Sequence, residues 1–472
     1  SAQEACAKRV TAMAAPAACP RARRVGVCPP LLLLAALVKW APVHFPATVL
    51  PPGRPRLPVV GDTLRLLSPK TMGTYQLDSR NKWGSVWKTS VLFKRTVFVT
   101  GSELLSEAFK EEVRKKTKAF FPPHQKQLFG ANSLIVQSGP YHLKLRRTIQ
   151  QSLTPKAIAG YEQSIRAEVD AFVAVCKESK GAFALVPELR SLLIKVVVRI
   201  LFGQSAPEET VTKLREELTL WIEGLVAPPL TFIPWSTAAR ALRARGRIAA
   251  TLRTWIARCR SGAAGQGSLL EQIVNARDPE SGEQLSDDAI VDNVLTLIVA
   301  GSDTTASGVA SAFRQLSLAP GLQQELRELS GEEQLAALEA FMNEVLRVNP
   351  PAAFAMRLVD GDPLQVGGFD VPTGWLLCYG FAGTLGGDAE AYPQPGEFDE
   401  QRFRVAAAKQ WAFGGGPRMC PGMGLAMTEA RIMLQTVLGP SGFRWRLEDG
   451  QDLTQRYTPG YFPVDGLRVE LL

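Results

Sequence analysis

Apolar residues recur every three to four positions through the middle of the chain, which is the spacing of helices that bury one face. This recurrence extends from residue 162 to about residue 261 and is interrupted by Pro228, Pro229 and Pro234. A later stretch, residues 294–300, is apolar almost without interruption. Because a helix that is apolar on nearly all sides must be buried, this stretch predicts a central helix.

The start of the central helix and several strands are also predicted by residue type. Ser286 is a favourable N-cap residue, and Asp287 and Asp288 suit the positive end of a helix dipole. β-Branched and aromatic residues at 86–89 and 96–100 predict a β-hairpin, and the end of the chain resembles short strands joined by turns. The sequence therefore predicts a mainly α fold with small β-sheets.

The first fifty residues differ from the rest. Residues 1–28 are rich in alanine and carry five basic residues but only one acid, a bias typical of organelle transit segments. The apolar run 31–38 is short of the roughly 20 residues that a bilayer span needs. We expect a leader at 1–50, either transit-like, a short membrane anchor or a disordered segment, and one functional domain at 51–472.

Charge and composition narrow the classes of partner and metal site. The net charge of +9 suits an anionic membrane or an acidic protein, and the absence of a nucleic-acid motif argues against nucleic acid. The three histidines are scattered, and no two of the seven cysteines form a Cys-x-x-Cys pair. Any metal must therefore depend on Cys420.

Cys420 lies in a glycine-rich segment, residues 413–426, just before a predicted helix. Glycines there allow positive φ and the close approach of a bulky flat group, and Pro421 is suited to start the helix. The helix N-terminus is expected to lower the pKa of the thiol and to hold the sulfur as an anion. A lone cysteine beside glycines is more often a buried turn residue, so the neighbouring residues decide.

Those neighbours fit the pattern Phe-x-x-Gly-x-Arg-x-Cys-x-Gly at every fixed position, through Phe413, Gly416, Arg418, Cys420 and Gly422. The segment resembles the haem-binding signature of the cytochrome P450 superfamily. The resemblance implies a P450 fold with haem b held between a long central helix and the cysteine loop. It also implies that Cys420 is the metal ligand, that Phe413 packs near the sulfur and that Arg418 pairs with a haem propionate.

The central helix carries a second motif, in which small residues are followed by an acid and a hydroxyl. Ala300 and Gly301 clear space on one face, and Asp303 and Thr304 follow on the next turn. Burying an acid and a hydroxyl costs free energy unless both are hydrogen-bonded, so we expect these two residues to have a role. The segment resembles the oxygen-activation motif of the same family, which implies that Gly301 makes room for dioxygen and that Asp303 and Thr304 organise proton delivery.

Further residues are assigned by the same resemblance. Glu344 and Arg347, three apart on a predicted helix, resemble with Arg402 a structural network beneath the haem, although alone such a pair is usually a surface ion pair. Haem propionates are expected to contact His142, in place of the usual Trp, and also Arg146 and Arg357. The predicted substrate pocket is lined by Phe120, Phe121, Ala300 and Phe354.

The implied function is that of a haem monooxygenase acting on an apolar small molecule. Residues 128–134, together with Gly139 and His142, look most like the branch that hydroxylates sterols, retinoids and other terpenoids. The implied electron source is NAD(P)H through a separate flavin reductase or a ferredoxin, and the implied location is a membrane surface of the endoplasmic reticulum or a plastid. Two alternatives remain open: a haem-thiolate isomerase or dehydratase, and a noncatalytic haem-binding protein.

Overall fold

The computed structural model describes residues 49–53, 61–68, 71, 73–114, 116–203, 206–263, 267–405, 408–457 and 460–472. The predicted leader lies outside the described residues, apart from its last two positions. The α-helices of the described part are α1 (Thr63–Leu67), α2 (Tyr75–Trp83), α3 (Ser102–Val113), α4 (Pro123–Phe129), α5 (Gly139–Gln150), α6 (Pro155–Glu178), α7 (Leu185–Phe202), α8 (Glu208–Val226), α9 (Thr237–Arg260), α10 (Leu269–Asn275), α11 (Asp287–Leu318), α12 (Pro320–Glu328), α13 (Gly331–Val348), α14 (Phe381–Leu385), α15 (Arg402–Val405) and α16 (Met423–Leu438).

The strands are short and form small sheets. They are β1 (Val86–Val91), β2 (Lys94–Val99), β3 (Thr117–Ala119), β4 (Phe183–Ala184), β5 (Phe354–Val359), β6 (Leu364–Val366), β7 (Phe369–Val371), β8 (Leu376–Gly380), β9 (Trp445–Leu447), β10 (Gln455–Tyr457), β11 (Tyr461–Pro463) and β12 (Arg468–Leu471). The largest sheet has the order β1-β2-β8-β5-β3. The predicted mainly helical fold with small sheets is confirmed.

The predicted central helix is α11, which runs for 32 residues. The hydroxyl of Ser286 accepts the backbone N–H of Ala289 at 3.3 Å, which satisfies one of the free N–H groups at the helix start. The helix is buried over most of its surface, because its apolar side chains pack into the main hydrophobic core with α7, α13 and α16. The predicted N-cap and the central position are both confirmed.

The mixed sheet brings distant segments to the same place. The predicted hairpin is the antiparallel pair β1 and β2, and β2 continues into the sheet by parallel pairing with β8. β5 lies between β8 and β3, so Arg357 on β5 stands beside Ala119 on β3. This sheet therefore carries Arg357 to the end of the molecule where α3 and the cysteine loop meet.

Two features of the described part concern its helices. The segment between Pro320 and Glu344 forms α12 and α13 with only Leu329 and Ser330 between them. Among the described helices, none combines the length and the apolar character needed to cross a membrane.

Candidate active site

The loop that carries Cys420 is closed by its own backbone. Gly414 and Gly416 have φ values of 71° and 63°, in the left-handed region that favours glycine. The N–H of Cys420 donates to the carbonyl of Phe413 at 2.9 Å, which fixes the cysteine above the start of the next helix. That helix, α16, begins at Met423 with Gly422 as its N-cap, so the predicted start at Pro421 is two residues too early.

The electrostatic setting of the thiol differs from the prediction. Two opposing effects act on the pKa of Cys420. The backbone N–H groups of Gly422 and Met423, with the nearby Arg146, act to lower it, as a helix N-terminus should. Burial acts in the opposite direction and is the larger effect, so the pKa of the thiol is raised above its ordinary value. The predicted lowering of this pKa is therefore wrong for the protein alone, and a bound metal ion would have to supply the charge that holds a thiolate there.

One stripe in the middle of α11 is open although the residues around it are buried. Every residue from 289 to 313 is buried except Leu297, Ala300, Gly301 and Thr304. Residues three, four and seven apart share a helix face, so these four positions form one stripe. Within it, the hydroxyl of Thr304 donates to the carbonyl of Ala300, one turn back.

Asp303 lies beside this stripe and is buried. Its Oδ1 is 3.0 Å from Nε of Arg190 on α7, while Oδ2 has no hydrogen-bond partner among the described residues. Burial raises the pKa of Asp303 to about 6, although Arg190 opposes the shift. Arg190 also lies over the ring of Phe462 at 4.2 Å from its centroid. Sequence reasoning missed Arg190, because no local pattern connects α7 with the middle of α11.

Gly301 is not required by crowding. A Cβ added there would meet only Cγ2 of Val197, at 3.4 Å, which is an ordinary contact. The predicted role in making room for dioxygen therefore stays a prediction.

The structure brings the predicted propionate partners together with one acid that sequence reasoning did not select. We call this set the open cluster; its members are Glu112, His142, Arg146, Arg357 and Arg418. Oε1 of Glu112 accepts Nε–H of Arg357 at 2.6 Å and lies 3.1 Å from Nε of Arg418. Nη1 of Arg146 donates to the carbonyl of Met419 at 2.7 Å, next to the metal-ligand candidate. The chain thus gathers these side chains from α3, α5, β5 and the cysteine loop.

The open cluster has an excess of positive charge. Burial, with Arg418, Arg146 and Arg357 nearby, lowers the pKa of His142 to about 3, so this imidazole is neutral. Three arginines and one glutamate then leave two positive charges without a counter-charge in the cluster. Haem carries two propionate carboxylates, so its charge matches this excess. Together with a single thiol and the open stripe of α11, the residues present fit haem.

The other predicted network is also assembled, and we call it the closed network: Glu344, Arg347 and Arg402. Nε and Nη2 of Arg347 donate to the two oxygens of Glu344 at 2.8 and 2.7 Å. The terminal nitrogens of Arg347 also donate to the carbonyls of Leu385, Pro395 and Glu397. Nε of Arg402 lies 3.2 Å from Oε2 of Glu344. The side chains of Glu344 and Arg347 have no exposed surface, so this is not the surface ion pair that the spacing alone would favour.

The predicted pocket residues lie on three parts of the fold. Ala300 is on the open stripe of α11. Phe354 begins β5 and packs against a small cluster that contains Tyr461. Phe120 and Phe121 are half-buried between β3 and α4, and the ring of Phe121 meets that of Phe129 edge-on at 5.7 Å.

Two findings concern residues outside the predicted site. On α5, Lys144 is paired with Glu283, and Arg147 is paired with Asp278 and Glu280. Glu429 on α16 is 3 % exposed, and neither of its oxygens has a hydrogen-bond partner among the described residues. Its position could have been found from sequence, because Glu429 falls on the same helical face as apolar Leu425, Ile432 and Met433.

Within the described part of the chain, no group of three or more His, Cys, Asp or Glu side chains is arranged to hold a metal ion. A single protein ligand is sufficient when the remaining coordination is supplied by a macrocycle such as haem.

Comparisons with known proteins give the same family throughout. The family model "Cytochrome P450" matches residues 51–463. The chain is 31% identical to the cyclooctat-9-en-7-ol 5-monooxygenase of Streptomyces melanosporofaciens, over 68% of this chain and 74% of that protein. It is 27% identical to abscisic acid 8'-hydroxylase 2 of Arabidopsis thaliana, over 89% of both chains.

A solved structure is also similar. The retinoic acid-bound cyanobacterial CYP120A1 superposes with a TM-score of 0.80 at 26% identity, covering 90% of this chain and all of that one. The fold expected from the cysteine-loop resemblance is thereby confirmed.

Proposed function

Because the chain belongs to the cytochrome P450 family and is a monooxygenase of that class, we propose that it oxygenates an apolar, isoprenoid-derived small molecule. The observation that carries the proposal is the open cluster, whose three arginines and one glutamate leave two positive charges in excess beside the loop of Cys420. Haem, when bound there, supplies the activation of dioxygen.

The proposed roles of the side chains follow from their chemistry. Cys420 would be the sulfur ligand of the haem iron, Phe413 and Gly422 would shape its loop, and the arginines of the open cluster would hold the haem carboxylates. Asp303 holds a proton at its carboxyl group, since burial raises its pKa to about 6. Thr304 offers a hydroxyl on the open stripe, where a proton can be passed onward.

The substrate class is supported by three similar proteins. Their names point to retinoic acid, abscisic acid and cyclooctat-9-en-7-ol, all of which are built from isoprene units. The loop that suggested this branch from sequence is tied to the central helix. The N–H of Asn132 donates to Oδ2 of Asp292 at 2.9 Å, and the N–H of Leu134 donates to Oδ1 of Asn293 at 2.7 Å. A loop held in this way forms a fixed wall beside α11.

The electron donor and the location belong to the same proposal. Two electrons must come from outside, and we propose NAD(P)H through a flavin reductase or a ferredoxin. We also propose docking at a membrane surface, of the endoplasmic reticulum or a plastid. This docking depends on the leader, which lies outside the described residues apart from its last two positions.

The first test is spectroscopic. Purified protein loaded with haem, then reduced and exposed to carbon monoxide, is expected to show the absorption band of a thiolate-ligated haem. Cys420→Ala should abolish this band and turnover, while Cys259→Ala, which removes a buried thiol from α9, should retain both. A Cys420→Ala protein with full turnover would contradict the assignment of the ligand.

The second test separates the candidate reactions and the substrate. A monooxygenase consumes oxygen when a reductant and its substrate are both present. An isomerase rearranges an organic peroxide without a reductant or oxygen, and a noncatalytic protein catalyses neither reaction. Spectral titration with retinoids, sterols and smaller terpenoids, against fatty acids as a matched apolar control, is expected to favour the isoprenoids. Equal or stronger binding of the fatty acids would contradict the proposed substrate class.

A further inference from the structure

Glu112 is the only acid among the open cluster, and neither the sequence motifs nor the proposed reaction gives it a role. It lies at the end of α3, and its side chain is 5 % exposed. A carboxylate in this place opposes the entry of two further carboxylates, since like charges repel. Its position therefore requires a compensating benefit.

The contacts of Glu112 show what it does to the arginines. Its Oε1 contacts the Nε of both Arg357 and Arg418, at 2.6 and 3.1 Å. Arg357 also donates from Nη1 to the carbonyl of Met356, and its guanidinium lies over the ring of Tyr379 at 5.5 Å. Arg418 donates from Nη2 to the carbonyl of Gln137 and, at 3.0 Å, to Oγ of Ser138. Each guanidinium is thus fixed at two of its three nitrogens.

The third nitrogen of each is left over. Nη2 of Arg357 and Nη1 of Arg418 have no hydrogen-bond partner among the described residues. A guanidinium is a rigid planar fork, so fixing two of its nitrogens also fixes the direction of the third. An arginine held in this way loses little side-chain entropy when it binds a carboxylate.

We propose that Glu112 is a positioning residue, which holds the Nε edges of Arg357 and Arg418 so that the remaining nitrogen of each is presented to a haem carboxylate. This inference rests on the proposed haem site. Glu112 acts through the arginines and does not itself contact the cofactor. It also lowers the net charge of the three arginines to the value that two propionates neutralise.

The chain offers a matched control in the preceding residue. Glu111 is also buried at the end of α3, but its carboxylate pairs with Arg114 and, at 3.2 Å, with Lys116, away from the open cluster. Substitution of Glu111 therefore perturbs the same helix end without changing the arginines of the site.

The experiment compares Glu112→Ala and Glu112→Gln with Glu111→Ala and Glu111→Gln. Haem release to excess apomyoglobin and the ferric/ferrous midpoint potential are measured for each holoprotein. Glu112→Ala is expected to release haem about tenfold faster than wild type, because the charge-assisted hydrogen bond to Arg357 and the ion pair with Arg418 are lost. Glu112→Gln should fall between, because its amide oxygen still accepts from an arginine. Both should shift the midpoint potential to more positive values, because a negative charge near the haem is removed.

The Glu111 variants should match wild type in both measurements. Wild-type release and potential in both Glu112 variants, or an equal change in the Glu111 variants, would overturn the inference. If Glu112→Ala does not fold, the nearly isosteric Glu112→Gln decides through its midpoint potential. Failure of the wild-type protein to bind haem through a thiolate would contradict the proposed function, whereas normal wild-type binding with unchanged Glu112 variants would contradict only the positioning role.

Discussion

The closed network and the open cluster are both built from arginines around a buried glutamate, yet they carry their charge differently. In the closed network all three nitrogens of Arg347 donate to Glu344 or to backbone carbonyls. In the open cluster the arginines outnumber the acid, and Arg357 and Arg418 each keep one nitrogen without a described partner. The comparison teaches that saturated arginines hold a fold together, whereas arginines with spare donors are prepared for a ligand.

The largest expected effect comes from breaking the closed network. Arg347→Leu leaves Glu344 buried with only Arg402 as a cation and removes donors from three carbonyls. We expect a loss of about 3–5 kcal/mol in the free energy of unfolding, because a buried charge loses its partner. Denaturant unfolding of the protein, with and without haem, measures it.

A surface ion pair supplies the control for that prediction. Arg247→Leu removes the pairing of Arg247 with Glu217, where the arginine is 53 % exposed, and should cost less than about 1 kcal/mol. Equal unfolding midpoints for the two variants would show that the closed network does not stabilise the fold more than a surface pair does.

The second effect concerns Asp303, a buried carboxylate that is only partly paired. Asp303 has one oxygen on Arg190 and one without a described partner. Asp303→Asn keeps the shape but removes the proton-transfer group, so kcat should fall about 100-fold while the carbon monoxide spectrum stays unchanged. Asp288→Asn, on the same helix and also paired with an arginine, Arg253, is the control. A similar loss of turnover per haem in both variants would argue against a specific role for Asp303.

Local sequence was sufficient to predict the parts of the site that lie within one element. The N-cap Ser286 and the burial of α11 follow from residue type and periodicity, and the cysteine loop follows from its glycines. The partners Glu112 and Arg190 were not predictable in this way, because Glu112 is 245 residues from Arg357 in sequence. Such pairs depend on how the helices and the mixed sheet pack.

The pKa of Cys420 was missed for a related reason. The helix N-terminus, which acts to lower the pKa, is visible in the sequence. The burial that raises the pKa by a larger amount depends on tertiary packing. Local pattern thus gave the type of group at the site, and packing decided its charge state.

The third effect tests the open cluster directly. Arg418→Gln removes one of its three positive charges and should weaken haem binding about tenfold, as expected for the loss of a charge-assisted hydrogen bond. The apoprotein should be no less stable than wild type, because repulsion from Arg357 is relieved. Titration of the apoprotein with hemin and thermal unfolding measure the two quantities.

Arg431→Gln is the control for the third effect, because Arg431 lies on α16 and pairs with Glu162 at 2.7 Å. Strong destabilisation of the Arg418→Gln apoprotein, with hemin affinity unchanged, would reverse the contrast between the open cluster and the closed network.

The last effect extends the comparison to a buried acid, Glu429, whose carboxylate has no hydrogen-bond partner among the described residues. Burial raises the pKa of Glu429 from its ordinary 4.5 to about 8. The folded state therefore binds this proton more tightly than the unfolded state, so the stability that protonated Glu429 allows is complete below about pH 4.5 and is lost as the pH rises through about 8. Over this interval the wild-type protein should lose about 1.4 kcal/mol of stability per pH unit relative to Glu429→Gln, which cannot ionise.

Denaturant unfolding of the two proteins at pH values between 5 and 8 tests this, and the difference between their curves cancels other titrating groups such as Asp303. Glu333→Gln, at an exposed position on α13, should follow the wild-type curve. Parallel curves for wild type and Glu429→Gln would mean that Glu429 has a partner that neutralises its charge. It would then belong with the closed network, because a buried carboxylate keeps its charge only where donors or cations surround it.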